Sequence, residues 1–249
     1  MKHLYLLFFL FPLTLLAQEE VLYYNKGVKA HNAGDYSTAI AAYQKCLEIN
    51  PKNSQAKQNL GAVYYNQSLA AFNKNDFDGA IKQAYEAVRH TPNNPDVYAL
   101  MGNAHTQQKQ HKQALLDFTK AIELSPKPAA YYAARSGVHN SLLDNENRYK
   151  DMAKAAELAP NNAKYQFLTG KYKQSVDQEL FKTAIDNYNK AIELKPDYLE
   201  AIIERATYYM TFGDFKSALK DLRKAERMGG DVKHLVEAAQ FELEMQEGN

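Results

Sequence analysis

The chain has 249 residues, with 30 Lys+Arg against 29 Asp+Glu and a single cysteine, Cys46. Near-balanced charge removes the electrostatic case for a nucleic-acid partner, and one thiol excludes both a disulfide framework and a cysteine-based metal cluster within the chain. Tryptophan is absent and tyrosine abundant at 18, while 11 glycines and 8 prolines are too few for collagen-like or low-complexity classes.

The N-terminus begins with Met1-Lys2-His3, a short basic start, followed by an apolar run from Leu4 to Leu16 that contains Pro12. At 13 residues the run is too short to span a bilayer, which takes roughly 20. Its length, and the small Ala17 before polar Gln18-Glu19-Glu20, predict a secretory signal peptide over residues 1–17 with cleavage after Ala17. Leu15 is larger than the residue usually found two positions before such a cut. Gln18 stands where a lipoprotein requires cysteine. The expectation is therefore an exported protein, periplasmic or secreted, with neither a lipid anchor nor an integral membrane segment in its mature form.

From there the chain is periodic. Pro51, Pro92, Pro126, Pro160 and Pro196, with Gly230 in the next equivalent place, are separated by 41, 34, 34, 36 and 34 residues. The breakers divide the chain into repeats at about 20–53, 54–94, 95–128, 129–162, 163–198 and 199–230. Each repeat predicts two helices. The first has a small residue in its middle: Gly27, Gly61 or Ser68, Gly102, Ser136, Gly170 and Ala206. A turn follows, visible as Gly34-Asp35-Tyr36, Asn75-Asp76-Phe77 and Gly213-Asp214-Phe215. The second helix is Ala-rich and amphipathic, with small residues paired at Ala39/Cys46, Ala80/Ala87, Ala114/Ala121, Ala184/Ala191 and Ala218/Ala225. Helices that meet at small side chains approach closely, and a lone hairpin cannot bury its apolar face, so stacking is required. Repeat two carries seven extra residues, about two helical turns, which predicts a longer first helix. Repeat four has Arg148 where a small residue belongs, predicting a looser or shifted hairpin, and repeat five has two extra residues around Ser175–Leu180, predicting a longer turn. Asp231 is placed to cap a last helix over residues 231–249 in which Val232, Leu235, Val236, Ala239 and Leu243 share one face.

This pattern of small, aromatic and proline positions resembles the tetratricopeptide repeat (TPR) family, over residues 20–230. The resemblance implies an all-α fold, a right-handed α-solenoid of about six helix–turn–helix repeats plus a C-terminal capping helix. It also implies a concave groove lined by the fifth, ninth and twelfth positions of each first helix. Those positions hold Tyr24, Val28 and His31; Tyr65, Leu69 and Phe72; Ala99, Asn103 and Thr106. In the later repeats they hold Ala133, Gly137 and Asn140; Phe167, Lys171 and Gln174; Ile203, Thr207 and Met210. The family's chaperone-binding members grip a terminal carboxylate with a Lys/Asn/Arg clamp; here Tyr24 and Val28 stand where Lys and Asn are needed.

Chemistry is hard to find. The sequence has no His-Glu-x-x-His, Gly-x-Ser-x-Gly, Walker loop or dinucleotide fingerprint. His105 and His139 occupy the same place in successive repeats, either as a metal pair or as ring side chains filling a packing site; zinc wants three or four ligands, which favours packing. Cys46 lies on a packing face, as an inert core thiol would. Asn66-Gln67-Ser68 is a glycosylation sequon in mid-helix. The expectation is a non-enzymatic scaffold of the cell envelope, without cofactor or metal. Its partner is a peptide or helical segment of another protein, held through Tyr24, Val28, His31, Tyr65, Leu69, Phe72, Asn103, Asn140, Phe167 and Lys171. Glycan binding on the aromatics and a self-associating structural module are the alternatives.

Overall fold

The computed structural model describes residues 2–248, with side chains from Leu15 onward. The side chains of residues 4–14, most of the apolar run behind the signal-peptide expectation, thus lie outside the described residues. Contacts divide the chain into two compact units after Pro126. Unit one holds three hairpins: α1 (Lys2–Asn32) with α2 (Tyr36–Ile49), α3 (Ser54–Asn73) with α4 (Phe77–His90), and α5 (Pro95–Gln107) with α6 (His111–Leu124). Unit two begins with α7 (Ala129–Ser141) and α8 (Asn145–Leu158), then α9 (Ala163–Gln174), the one-turn α10 (Gln178–Lys182) and α11 (Ala184–Leu194). It ends with α12 (Leu199–Thr211), α13 (Phe215–Arg227) and α14 (Lys233–Glu247). The paired all-α repeat is as expected from the sequence. Helix α1 runs without a break through Ala17. Among the described residues, no helix is long and apolar enough to cross a membrane.

Turn chemistry sets the hairpins. Five of the six hairpins place one residue of their internal turn in the left-handed region: Gly34, Asn75, Lys109, Leu143 and Gly213. In four of them the next residue is Asp35, Asp76, Asp144 or Asp214, whose carboxylate accepts the backbone N–H three residues on and so satisfies an orphan donor of the second helix. Asn53, Asn94 and Asn162 cap the first helices of their repeats in a similar way. Leu143 has no business at positive φ, at 58°; a β-carbon there crowds the following carbonyl.

Packing follows the small residues. A β-carbon added at Gly27 would lie 2.6 Å from the Tyr43 ring, at Gly102 2.9 Å from Phe118, and at Gly170 3.0 Å from Tyr188. Each glycine therefore admits a large ring of the second helix, and all three rings are fully buried. In repeats two and four a serine holds this place, and its hydroxyl donates across the hairpin: Ser68 to the Ala80 carbonyl at 2.7 Å, Ser136 to the Arg148 carbonyl at 2.8 Å. Repeat two thus closes on Ser68, while Gly61 abuts Thr91 and the extra turns lengthen α3 to 20 residues. The alanine and Cys46 positions of the second helices are buried throughout.

Three expectations are corrected. Arg148 does not loosen repeat four: its carbonyl takes the Ser136 hydroxyl, and its guanidinium leaves the helix contact to lie 4.3 Å over the Tyr172 ring and bond Asn140 Oδ1 at 2.7 Å. The insertion in repeat five is not a plain turn but includes α10, capped by Asp177 and anchored by buried Phe181. Asp231 does not cap the last helix, because Val232 takes the cap position without a side-chain bond and is buried there. The rest of that apolar face behaves as expected, with Ala239 buried and Leu235, Val236 and Leu243 packed against the unit-two core.

The glycines give opposite signs for one substitution. Gly102→Ala must push against the Phe118 ring and should cost about 1–3 kcal/mol. Gly137 has nothing within 4 Å of its added β-carbon, so Gly137→Ala should gain about 0.5–1 kcal/mol from helix propensity. Leu143→Gly relieves the left-handed strain at a residue 84% exposed, and should stabilise by about 0.5–1 kcal/mol. Urea unfolding midpoints measure all three, and a uniform sign for the two Gly→Ala variants would contradict the packing described.

Candidate functional site

In unit one the first helices α1, α3 and α5 lie side by side in that order. Two polar contacts stitch α1 to α3 at matching steps of seven residues. Asn59 Nδ2 donates to the Tyr24 hydroxyl at 3.3 Å, and Asn66 Nδ2 donates to His31 Nε2 at 3.0 Å, making that ring nitrogen the acceptor. Tyr24 also tilts against Tyr43 at 6.1 Å, Val28 packs on the first hairpin's core, and the His31 ring meets Tyr36 edge-on at 6.1 Å. On α3, Tyr65 packs against Ala84, Ala87, Val97 and Met101, and burial pushes its phenol up. Phe72 meets Phe77 edge-to-face at 5.5 Å, closing the tip of its own hairpin. Leu69 is left 38% exposed. On α5, Ala99 is buried, Thr106 donates its hydroxyl to the Gly102 carbonyl, and Asn103 is exposed. The face thus has a fixed rim of half-buried rings and an open centre at Leu69 and Asn103, which hold equivalent positions on neighbouring helices.

Unit two treats the corresponding positions differently. Phe167 is only 7% exposed, set among Tyr188 at 6.3 Å and Tyr198 at 5.1 Å, and belongs to the core. Lys171 reaches across to Glu204 at 2.6 Å. Asn140 is exposed but accepts from Arg148, and Gly137 leaves its surroundings open. Ile203 and Met210 are half-buried against the core.

A row of largely covered acids, two of them buried, is not apparent from the helix periodicity. Asp117, Asp151 and Asp221 occupy one place in the second helices of repeats three, four and six, and each meets a base of its own first helix. Arg135 grips Asp151 through two bonds of 2.8 Å, and Arg205 grips Asp221 through bonds of 2.7 and 2.8 Å. The carboxylate partners raise both guanidinium pKa values further. His105 Nδ1 lies 2.6 Å from Asp117, whose carboxyl is raised by burial against the lowering effect of that imidazole. The signal was available, as an arginine sixteen residues before an aspartate in repeats four and six. Such bidentate, charge-assisted pairs fix geometry, and removing one partner strands a buried charge. They hold the hairpins together.

These acids also account for the histidines. His139 lies 3.2 Å from Asp144 without hydrogen-bond geometry at Nδ1, and 3.7 Å from Asp151 through Nε2. Each imidazole is engaged by acids of its own hairpin, and among the described residues no group of three or more His, Cys, Asp or Glu is arranged to hold a metal. Cys46 is fully buried, accepts a weak bond from Asn53 at 3.6 Å, and has its thiol pushed up by burial, away from the reactive thiolate.

Comparison with known proteins agrees with this repeat geometry. The family model described as "Tetratricopeptide repeat" matches residues 21–53 and 95–128, which are repeats one and three. Over 53 residues the chain is 36% identical to Hsp70-Hsp90 organizing protein 1 of Glycine max, a match covering 21% of this chain and 9% of that protein's length. Among solved structures, YrrB, described as a TPR protein with an unusual peptide-binding site, aligns with a TM-score of 0.62 at 18% identity, over 84% of this chain and all of its own. A MamA fragment from Desulfovibrio magneticus RS-1 aligns at 0.60 and 20% identity, over 68% of this chain and 94% of its own. Pseudomonas aeruginosa pilF aligns at 0.52 and 16% identity, over 94% and 99%. The likeness to these structures is one of fold. The family model thus finds tetratricopeptide repeats at two of the hairpins, and the chain as a whole shares the fold of the TPR structures it aligns with.

Proposed function

We propose that this chain is a non-enzymatic adaptor that holds an extended or helical segment of a partner protein against the first helices of unit one. The observation that carries the proposal is the open centre of that face. Leu69 and Asn103 are exposed there, bordered by Tyr65, Phe72 and the His31–Asn66 contact. An apolar anchor beside amide groups and rigid rings is what a mixed peptide surface needs, with the rings adding contact area at modest entropy cost. Tyr24 and Val28 border the same face. In unit two, Lys171 and Asn140 are committed to Glu204 and Arg148 and Phe167 is buried, so that unit contributes less. YrrB carries a peptide-binding site on this fold, which supports a peptide as the ligand class. Tyr24 and Val28 stand where the carboxylate clamp of chaperone-binding TPR domains needs Lys and Asn. A terminal carboxylate is therefore not the handle.

We also infer that the adaptor works outside the cytoplasm, in the cell envelope. The support is the basic start, the short apolar run and Ala17 before Gln18.

Two measurements check these proposals. A photocrosslinking side chain in place of Leu69 should capture the partner in its native compartment, whereas one in place of Leu116, 72% exposed on the second helix α6, should not. With the captured partner, Leu69→Glu should lose at least about 2 kcal/mol of affinity at unchanged helix content. Equal capture at both positions would move the site elsewhere. N-terminal sequencing of the protein from its source should begin near Gln18, and mature material that retains Met1 through Leu16 would contradict export by cleavage.

A further inference from the structure

Helix α13 carries Lys216, Lys220, Arg223 and Arg227 at steps of four, three and four residues, which sets them along one face. With Leu219 and Leu243 they line a cleft of about 420 Å³ beside α14. Lys216 is held by Glu247 at 2.9 Å. Lys220, Arg223 and Arg227 are in no ion pair among the described residues. Glu226 on the same helix is exposed without reaching them.

The neighbouring helix has the opposite character. Glu237, Phe241 and Glu244 of α14 lie at steps of four and three, on the side turned away from buried Ala239. All three are exposed, Phe241 to 60%, and Glu237 makes only a 3.9 Å approach to Lys233. A phenylalanine flanked by two acids is thus left open to solvent on this face.

We propose that the surface formed by α13 and α14 docks on a second copy of itself as a two-fold dimer. A basic stripe beside an acidic strip becomes complementary to itself when turned about an axis running along the cleft between the two helices. Glu237 and Glu244 of one copy then face Lys220, Arg223 and Arg227 of the other. Each Phe241 ring is laid on the aliphatic stems of those cations and on the leucines of the facing cleft. A foreign acidic segment satisfies the basic stripe but leaves Phe241 and its flanking acids uncovered, whereas a second copy covers both. The surface is independent of the first-helix face of unit one, so partner capture there can succeed or fail separately.

Analytical ultracentrifugation of the purified protein tests this, using wild type, Arg223→Glu/Arg227→Glu, Glu237→Lys/Glu244→Lys and the variant with all four changes. Wild type should dimerise in low salt. High salt or either double reversal should raise the dissociation constant at least about tenfold, and the fourfold variant should recover the dimer. Phe241→Ser should weaken the dimer without any change in charge, and circular dichroism should show that these exposed substitutions leave the helices intact. A wild type that stays monomeric at tens of micromolar in low salt overturns the proposal. So does a dimer indifferent to the reversals, or a fourfold variant that remains monomeric.

Discussion

Everything in this protein depends on two helices coming close enough for a ring to fit against a missing side chain. Gly27 with Tyr43, Gly102 with Phe118 and Gly170 with Tyr188 repeat one contact, in which an added β-carbon would lie 2.6–3.0 Å from the ring. Burying such a ring contributes about 1.5–3 kcal/mol, more than a single exposed pair supplies. Where the small residue is serine, the space shrinks by one hydroxyl and the closure becomes a hydrogen bond to the opposite backbone, as at Ser68 and Ser136. The hairpins share an outline because both solutions bring the helices to a similar approach.

That closure also decides which surfaces remain for function. One side of each first helix is consumed by its partner helix, and the fifth, ninth and twelfth positions fall on another side. Those positions are not free by default. Tyr24, Tyr65 and Phe72 use part of their area to hold neighbouring helices or their own turn, and Phe167 is taken wholly into the core. A residue on the groove stripe is thus a binding residue only to the extent that the fold leaves it uncovered. By that measure Leu69 and Asn103 outrank the larger rings beside them.

The helices and the small-to-large contact were legible in the sequence because they rest on residue size and period, which a chain displays directly. The placement of Ser68 over Gly61 as the closing residue of repeat two was legible as a choice between two registers, and the extra two turns in α3 followed from the count. Arg148 misled because a position was judged by its side chain, when the contact there is made by its carbonyl. Asp231 misled because an acid at a helix start is a local cue, and burying Val232 at the cap position outweighed it. Helix α10 was missed because five residues show no period. The Arg135–Asp151 and Arg205–Asp221 pairs lie sixteen residues apart across a turn; single-helix periodicity does not reveal them, although alignment of the repeats does. The burial of Phe167 depends on Tyr198, which stands at the cap of α12 more than thirty residues away, and no local pattern specifies it.

The first helix therefore serves two roles, closing its hairpin on one side and offering a surface on another. Amide hydrogen exchange with and without the captured partner tests this division most directly, since it resolves one helix from the next. Slowed exchange in α1, α3 and α5, with α2, α4 and α6 unchanged, is the result the division predicts. Protection confined to the second helices, or spread evenly over both, would contradict it.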